Sequence, residues 1–274
     1  MTITDAIMEH VEGDVFFIQI GACDGMTGDP LRTCIMDNPR WKGVMVEPNP
    51  VVYDELKKNY AEQANRIEFR SVAVVATPTG LRPFYYFAPD AALKLTFPPG
   101  RTQRVFNQYG SLHETYCNSR TIPYDKSNLH PLLVKKLDRM HRLLRTMDVW
   151  INTEVPDTTA DELMTEFLRI PDLLVIDAGG SDLEIVQSLR NSPKVILYRH
   201  SSEFYDHDDL ELTESFLYAQ TYLLRYLRTD GSETDKRSEA WYTLATQIQP
   251  IDSPLAQLAG MMLGTGPSRP LPIK

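Results

Sequence analysis

Two short β-rich runs, Val15–Ile20 and Trp41–Val46, each end abruptly at a turn-forming sequence. The first turn is Gly21-Ala-Cys-Asp-Gly25 and the second is Glu47-Pro-Asn-Pro50. Runs this short and apolar suit strands buried on both faces, the hallmark of a parallel sheet. Residues 29–38 lie between them and can hold a short helix, with Asp29 as its cap and Pro30 in its first turn. A second helix is expected over 50–63, starting at Pro50 and placing Val52, Leu56 and Tyr60 on one face. Ile67–Val74 then reads as a third strand. Strand, helix, strand, helix, strand calls for right-handed crossovers and an α/β fold.

The same grammar returns later. Thr159 and Glu162 are spaced as a capping box for a helix opening at 158–163. Leu173–Ile176 is a fourth buried run and ends at Asp177-Ala-Gly-Gly180. A helix from Ser181 to about Leu189 follows, then a fifth run, Lys194–Tyr198, ending at Arg199-His200. Thr213 to about Leu227 reads as helix with a second half that also suits a strand. Ala240–Gln249 suits a late edge strand, and Pro267–Lys274 a loose tail.

The middle of the chain interrupts this pattern. Leu81–Ala88 is aromatic and alternates loosely, as a strand pairing with a later one would. Residues 89–128 are rich in Pro, Gly, Ser, Asn and Thr, a composition for a long functional loop. Residues 131–147 carry an apolar stripe (Leu133, Leu137, Met140, Leu144, Met147) opposite a basic face. That face suits solvent, or a cap over an acidic group. The expected organisation is one domain over 1–274 with an inserted lid at about 85–150. Its aromatics, Tyr109 and Tyr116 among them, suit either a local core or a cover over a small organic molecule.

Composition excludes several classes. The net charge of -9 argues against a nucleic-acid backbone as partner. The three cysteines form no CxxC pair and no zinc spacing, so no metal site is expected and the thiols read as free and reduced. The N-terminal residues lack the basic and apolar regions of a signal peptide, and no apolar run reaches membrane-spanning length. A cytoplasmic protein is expected, with a homodimer compatible with its size.

In open parallel sheets, ligands bind beyond the carboxyl ends of the strands. Those ends are Gly21–Gly25, Glu47–Asn49, Val72–Ala73, Asp177–Gly180 and Arg199–His200. Gly21 and Gly25 permit close backbone approach, and Glu47 can accept both hydroxyls of a ribose. A Gly-rich turn with an acid after the next strand points to a nucleoside-containing cofactor. The segment Gly21-Ala-Cys-Asp-Gly-Met26 lacks the second and third glycines of the dinucleotide fingerprint, and Asp24 opposes a pyrophosphate. S-adenosylmethionine (SAM) carries a sulfonium cation and no pyrophosphate, so it fits the acidic turn better than NAD.

The stretches Phe16–Gly25, Trp41–Pro50 and Ser71–Val74, with Thr158–Leu163 and Leu173–Glu184, resemble FkbM-type SAM-dependent methyltransferases. The resemblance spans roughly residues 14–200 and is weak over 85–150. It implies a Rossmann-like class I methyltransferase fold: a mainly parallel twisted sheet with helices on both faces. It further implies that Gln19, Gly21, Ala22, Asp24 and Gly25 wrap the methionine part of SAM. Glu47, Pro48 and Asn49 would hold the ribose, and Val72 and Ala73 would flank the adenine. Gly110-Ser111-Leu112 resembles a Ser-Leu element that closes on the cofactor, with Asp177 also at the site. S-adenosylhomocysteine would be the product.

Three positions depart from the family pattern. Gln19 stands where an acid is usual, Gly179 replaces a glutamate, and Arg199 replaces another acid. The departures weigh against metal-assisted chemistry. They also keep two alternatives open: a SAM-using cyclase or aminocarboxypropyl transferase, and a non-catalytic binding protein on the same fold. The leading expectation is methylation of a small-molecule hydroxyl, of a natural product or sugar. His200, Asp177 and His113 are the candidate bases, in that order, because a hydroxyl nucleophile needs a proton acceptor. Arg199, Tyr109 and Tyr116 are the candidate acceptor contacts, Arg199 through a carboxylate.

Overall fold

A computed structural model describes residues 2–88, 110–113, 150–200, 205, 207–235 and 240–248. The expected insertion helix at 131–147, Tyr109 and Tyr116 lie outside the described residues.

The central sheet has eight strands. In chain order they are β1 (Phe16–Ile20), β2 (Lys42–Val46), β3 (Ile67–Arg70), β8 (Leu173–Ile176), β9 (Val195–Arg199), β10 (Tyr222–Leu227), β11 (Glu233–Thr234) and β12 (Tyr242–Gln247). Their spatial order is β11-β10-β12-β9-β8-β1-β2-β3. The pairs from β3 through β9 are parallel, and β12 runs antiparallel to both β9 and β10. The α/β class and the mainly parallel sheet expected from the sequence are present. The expected edge strand is not at an edge: β12 lies inside the sheet, between β9 and β10. Hydrogen bonding to both neighbours satisfies its backbone, which polarity along the sequence does not reveal.

Alternation along β1 divides two cores. Phe17 packs with α1 (Ile3–Met8), α2 (Arg32–Asp37) and α3 (Pro50–Asn59) through Ile7, Ile35 and Leu56. Ile18 and Ile20 face the other way, toward α4 (Ala160–Glu166), α5 (Asp182–Gln187) and α6 (His207–Ala219) through Leu163, Ile185 and Leu217. Period-two alternation thus becomes two helix layers on one sheet. Gly43 in β2 lets this layer close, because a Cβ there would stand 2.4 Å from the Phe17 carbonyl oxygen.

Caps define the helix starts. The Thr159–Glu162 capping box opens α4 as expected, and Asn49 caps α3 by accepting from the Val51 N–H. The first helix after β1 is shorter than expected. It begins at Arg32, and Asp29 accepts from the Leu31 N–H outside the helix proper. The 50–63 helix ends at Asn59 and continues as a 3₁₀ turn, Ala61–Gln63. The 213–227 segment divides at Thr221 into α6 and β10, with Thr221 in left-handed backbone at φ +65°.

A second, four-stranded sheet holds β4 (Ala73–Val74), β5 (Leu81–Phe87), β6 (Gly110–Ser111) and β7 (Trp150–Thr158), in the order β4-β7-β5-β6. The expected single strand Ile67–Val74 is therefore split, with β3 in the main sheet and β4 in this one. The aromatic strand β5 pairs antiparallel with β7, and the Phe87 and Trp150 rings stack at 3.8 Å. Both ends of the insertion are anchored by this pairing. Among the described residues no helix is long and apolar enough to cross a membrane.

Candidate functional site

A cavity of about 350 Å³ opens at the carboxyl ends of β1, β2, β8 and β9. That size lies within the usual range for small-ligand sites. Its walls bring together Gly21, Glu47, Pro48, Val72, Ala73, Asp177 and Arg199, all singled out in the sequence.

Glu47 forms one end. The residue is only 6% exposed. One oxygen accepts from the Cys23 N–H at 2.8 Å and the other from the Asn49 N–H at 2.8 Å. A carboxylate offers about four acceptor positions, so two remain for a ligand. No cation bonds to it among the described residues. Burial pushes its pKa up to about 7, against the pull of the two N–H donors and with further repulsion from Asp177 and Asp24. Cys23 sits at φ +52°, a costly conformation for a residue with a Cβ, and its N–H meets Glu47. Burial, then the Glu47 charge, raises the Cys23 thiol well above its ordinary range.

The other end is an ion pair. Arg199 Nη1 donates to both oxygens of Asp177, at 3.0 and 3.2 Å. The guanidinium lies 5.2 Å from the centre of the Trp241 ring. Tyr242 pairs with Arg199 in the β9–β12 ladder, and both aromatics line the cavity. The Asp177 charge is the largest influence holding Arg199 protonated.

Gly21 joins the two ends. It stands at φ +76°, and a Cβ there would lie 1.9 Å from the Asp177 carbonyl oxygen. Gly25 serves packing: a Cβ would strike Tyr60 at 2.4 Å and Leu56 at 2.6 Å.

Several other residues build the walls from behind. Asp24 accepts from the Met26 and Thr27 N–H groups, which folds the turn on itself. Ala22 is in the core beside α1 and α2. Asn49 is spent on capping α3. Gln19 is 2% exposed and donates from Nε2 to Asp29, which also accepts from Tyr60. The Gln19 Oε1 atom has no hydrogen-bond partner among the described residues. Asp182, at the start of α5, accepts from the Ala178 N–H at 2.7 Å and from Tyr205 at 2.8 Å. Burial, then repulsion from Asp177, pushes its pKa up to about 6.

Two of the three candidate bases lie elsewhere. His200 is 1% exposed and sits near the rings of Tyr198 and Tyr226. It does not line this cavity, because neighbours on a strand end point to opposite faces and Arg199 takes the cavity side. His113 lines a second cavity of about 210 Å³, where its Nε2 lies 3.1 Å from Ser181 Oγ. Ser111 donates to the Gly179 carbonyl at 2.7 Å and so ties β6 to the turn after β8. Of the three, only Asp177 faces the main cavity.

Sequence reasoning missed Thr27, Gly28, Phe84, Thr229, Trp241 and Tyr242 as lining residues. Tyr242 opens β12 and Trp241 immediately precedes it. A reversed strand begins where its parallel neighbours end, so their place depends on the direction of β12.

His207, Asp208 and Glu211 form the one exposed cluster with metal-ligand spacing among the described residues, on α6. It lies outside both cavities described here.

A search of curated proteins found no match. Among solved structures, the chain is similar to a methyltransferase FkbM from Methylobacillus flagellatus at 11% identity and a TM-score of 0.47. That match covers 90% of this chain and 48% of the other, so this chain spans about half that protein's length. An Aeropyrum pernix fibrillarin, solved with natively bound S-adenosyl-L-methionine, aligns at 10% identity and a TM-score of 0.39, covering 86% of this chain and 68% of that one. A Thermotoga maritima SAM-dependent O-methyltransferase aligns at 9% identity and a TM-score of 0.36, covering 91% of this chain and 65% of that one. The family profile described as the Methyltransferase FkbM domain matches residues 19–224, from the end of β1 into β10. The chain therefore belongs to the FkbM methyltransferase family.

Proposed function

We propose that the protein binds SAM in the main cavity and transfers its methyl group to a hydroxyl of a small-molecule acceptor. The observation that carries this reading is Glu47, a buried carboxylate fixed by two backbone N–H groups with acceptor capacity left over. Two adjacent ribose hydroxyls are the donors that such a group suits. Pro48, Val72 and Ala73 supply an apolar wall for adenine.

SAM supplies an already activated methyl group on a sulfonium cation. The work left to the chain is alignment and charge. Two carboxylates, Glu47 and Asp177, against the single Arg199 cation among the described lining residues leave the cavity acidic on balance, which favours a cation and opposes a pyrophosphate. Asp177 is the lining carboxylate placed to hold an acceptor hydroxyl and take its proton.

Incubation with SAM tests the reading. S-adenosylhomocysteine should accumulate in the presence of acceptor mixtures, and that product alone should stabilise the protein against heat. Methylthioadenosine as the product would overturn methyl transfer. No thermal shift with SAM or S-adenosylhomocysteine would overturn cofactor binding.

A further inference from the structure

Arg199 has bonding capacity that its ion pair leaves unused. Both hydrogen bonds to Asp177 come from the same nitrogen, Nη1. Among the described residues, no hydrogen bond engages Nε or Nη2. Those two N–H groups form the side-on fork of a guanidinium, whose geometry matches a carboxylate with two parallel bonds. The side chain is 22% exposed, and the Trp241 ring beside it restricts its orientation. Ligand binding there would immobilise a group that is already held in place.

The charges around the cavity single out this position. Arg199 is the only cationic side chain among the described lining residues, whereas Glu47 and Asp177 are acids. An anionic group entering elsewhere meets repulsion with nothing to offset it. We propose that the Nε–Nη2 edge of Arg199 is the carboxylate-binding point of this cavity. Two ligands could bring that carboxylate: the amino-acid end of the cofactor, or the acceptor itself. The cofactor source rests on the SAM reading above, whereas the acceptor source does not.

Calorimetric titration of wild type and Arg199→Gln separates the sources. The probes are S-adenosylhomocysteine, 5′-methylthioadenosine (which lacks the amino-acid end) and benzoate. Suppose the cofactor brings the carboxylate. Then Arg199→Gln weakens S-adenosylhomocysteine about tenfold or more and leaves methylthioadenosine within about twofold. If the acceptor brings it, both nucleosides bind the variant as they bind wild type, and benzoate binding to the S-adenosylhomocysteine-loaded protein disappears. The proposal is overturned if every probe binds Arg199→Gln as it binds wild type, or if wild type binds no benzoate and does not distinguish the two nucleosides. Failure of the SAM reading looks different: wild type then binds neither nucleoside, and benzoate binding to the free protein alone decides. Arg199→Lys keeps the charge beside Asp177 and removes the fork. It should show the same loss at about half the logarithmic size, and it replaces the Gln variant if that one does not fold.

Discussion

The two ends of the main cavity each hold a carboxylate at a strand terminus, yet they balance its charge differently. Glu47 is compensated only by backbone N–H groups, and burial leaves it close to protonation at neutral pH. Asp177 is compensated by a guanidinium, so that end is locally neutral. A carboxylate held by N–H groups alone gains from any further donor that arrives, such as a hydroxyl. A paired carboxylate gains less from a donor, and its cation is the group with bonding capacity to spare. The first end therefore suits hydroxyl recognition and the second suits an anion.

The largest expected effect lies where the ends meet. Gly21→Ala should destabilise the fold by about 2–4 kcal/mol, since a Cβ at φ +76° meets the Asp177 carbonyl. Gly28→Ala at φ +70° has open space around it and should cost only about 1–2 kcal/mol of backbone strain. Urea unfolding of both variants measures the difference, and equal losses would mean the two ends are not locked through Gly21.

Next in size is the Glu47 end. Glu47→Ala should weaken S-adenosylhomocysteine about 100-fold, the loss of two hydrogen bonds to a charged group. Asp177→Ala should change that affinity by less than about fivefold. Comparable losses in both variants, seen by calorimetry, would erase the contrast between the two ends.

The smallest effect is in pH. The folded-state pKa of Glu47, at about 7, lies above its ordinary value of 4.5. The folded protein then holds a proton that the unfolded chain has released. Its contribution to stability is present below about pH 4.5 and is lost as pH rises toward 7, at no more than about 1.4 kcal/mol per pH unit. Asp182, at about 6, adds in the same direction over the lower part of that window. Cofactor affinity should run the opposite way and strengthen toward pH 7 and above, because hydroxyl donors favour the ionised carboxylate. Chemical unfolding of Glu47→Gln at pH 5.5 and 7 should show a flatter profile than wild type; an unchanged slope would remove Glu47 as its source.

Much of this was legible in the sequence because buried parallel strands and their turns are local signals. Apolar runs bounded by Gly21–Gly25, Glu47–Pro50 and Asp177–Gly180 set the strand ends, and strand ends in such a sheet are where ligands go. Glu47 could be singled out for that reason alone. The capping box at Thr159–Glu162 was equally local.

Other features depended on which way a side chain faces or which strand lies next door. His200 and Arg199 are adjacent in the chain, yet alternation sends only Arg199 into the cavity. Asp24, Gly25 and Asn49 lie in the right motifs but are consumed by the turn, by Tyr60 and by the start of α3. The sequence by itself determined the α/β class, the strand ends and an acidic ligand cavity, because apolar periodicity and turn chemistry act over a few residues. Only the tertiary structure decided that β12 is inserted antiparallel beside β9, which brings Trp241 and Tyr242 to Arg199. Strand direction depends on pairing between segments far apart in the chain, and no local pattern encodes it.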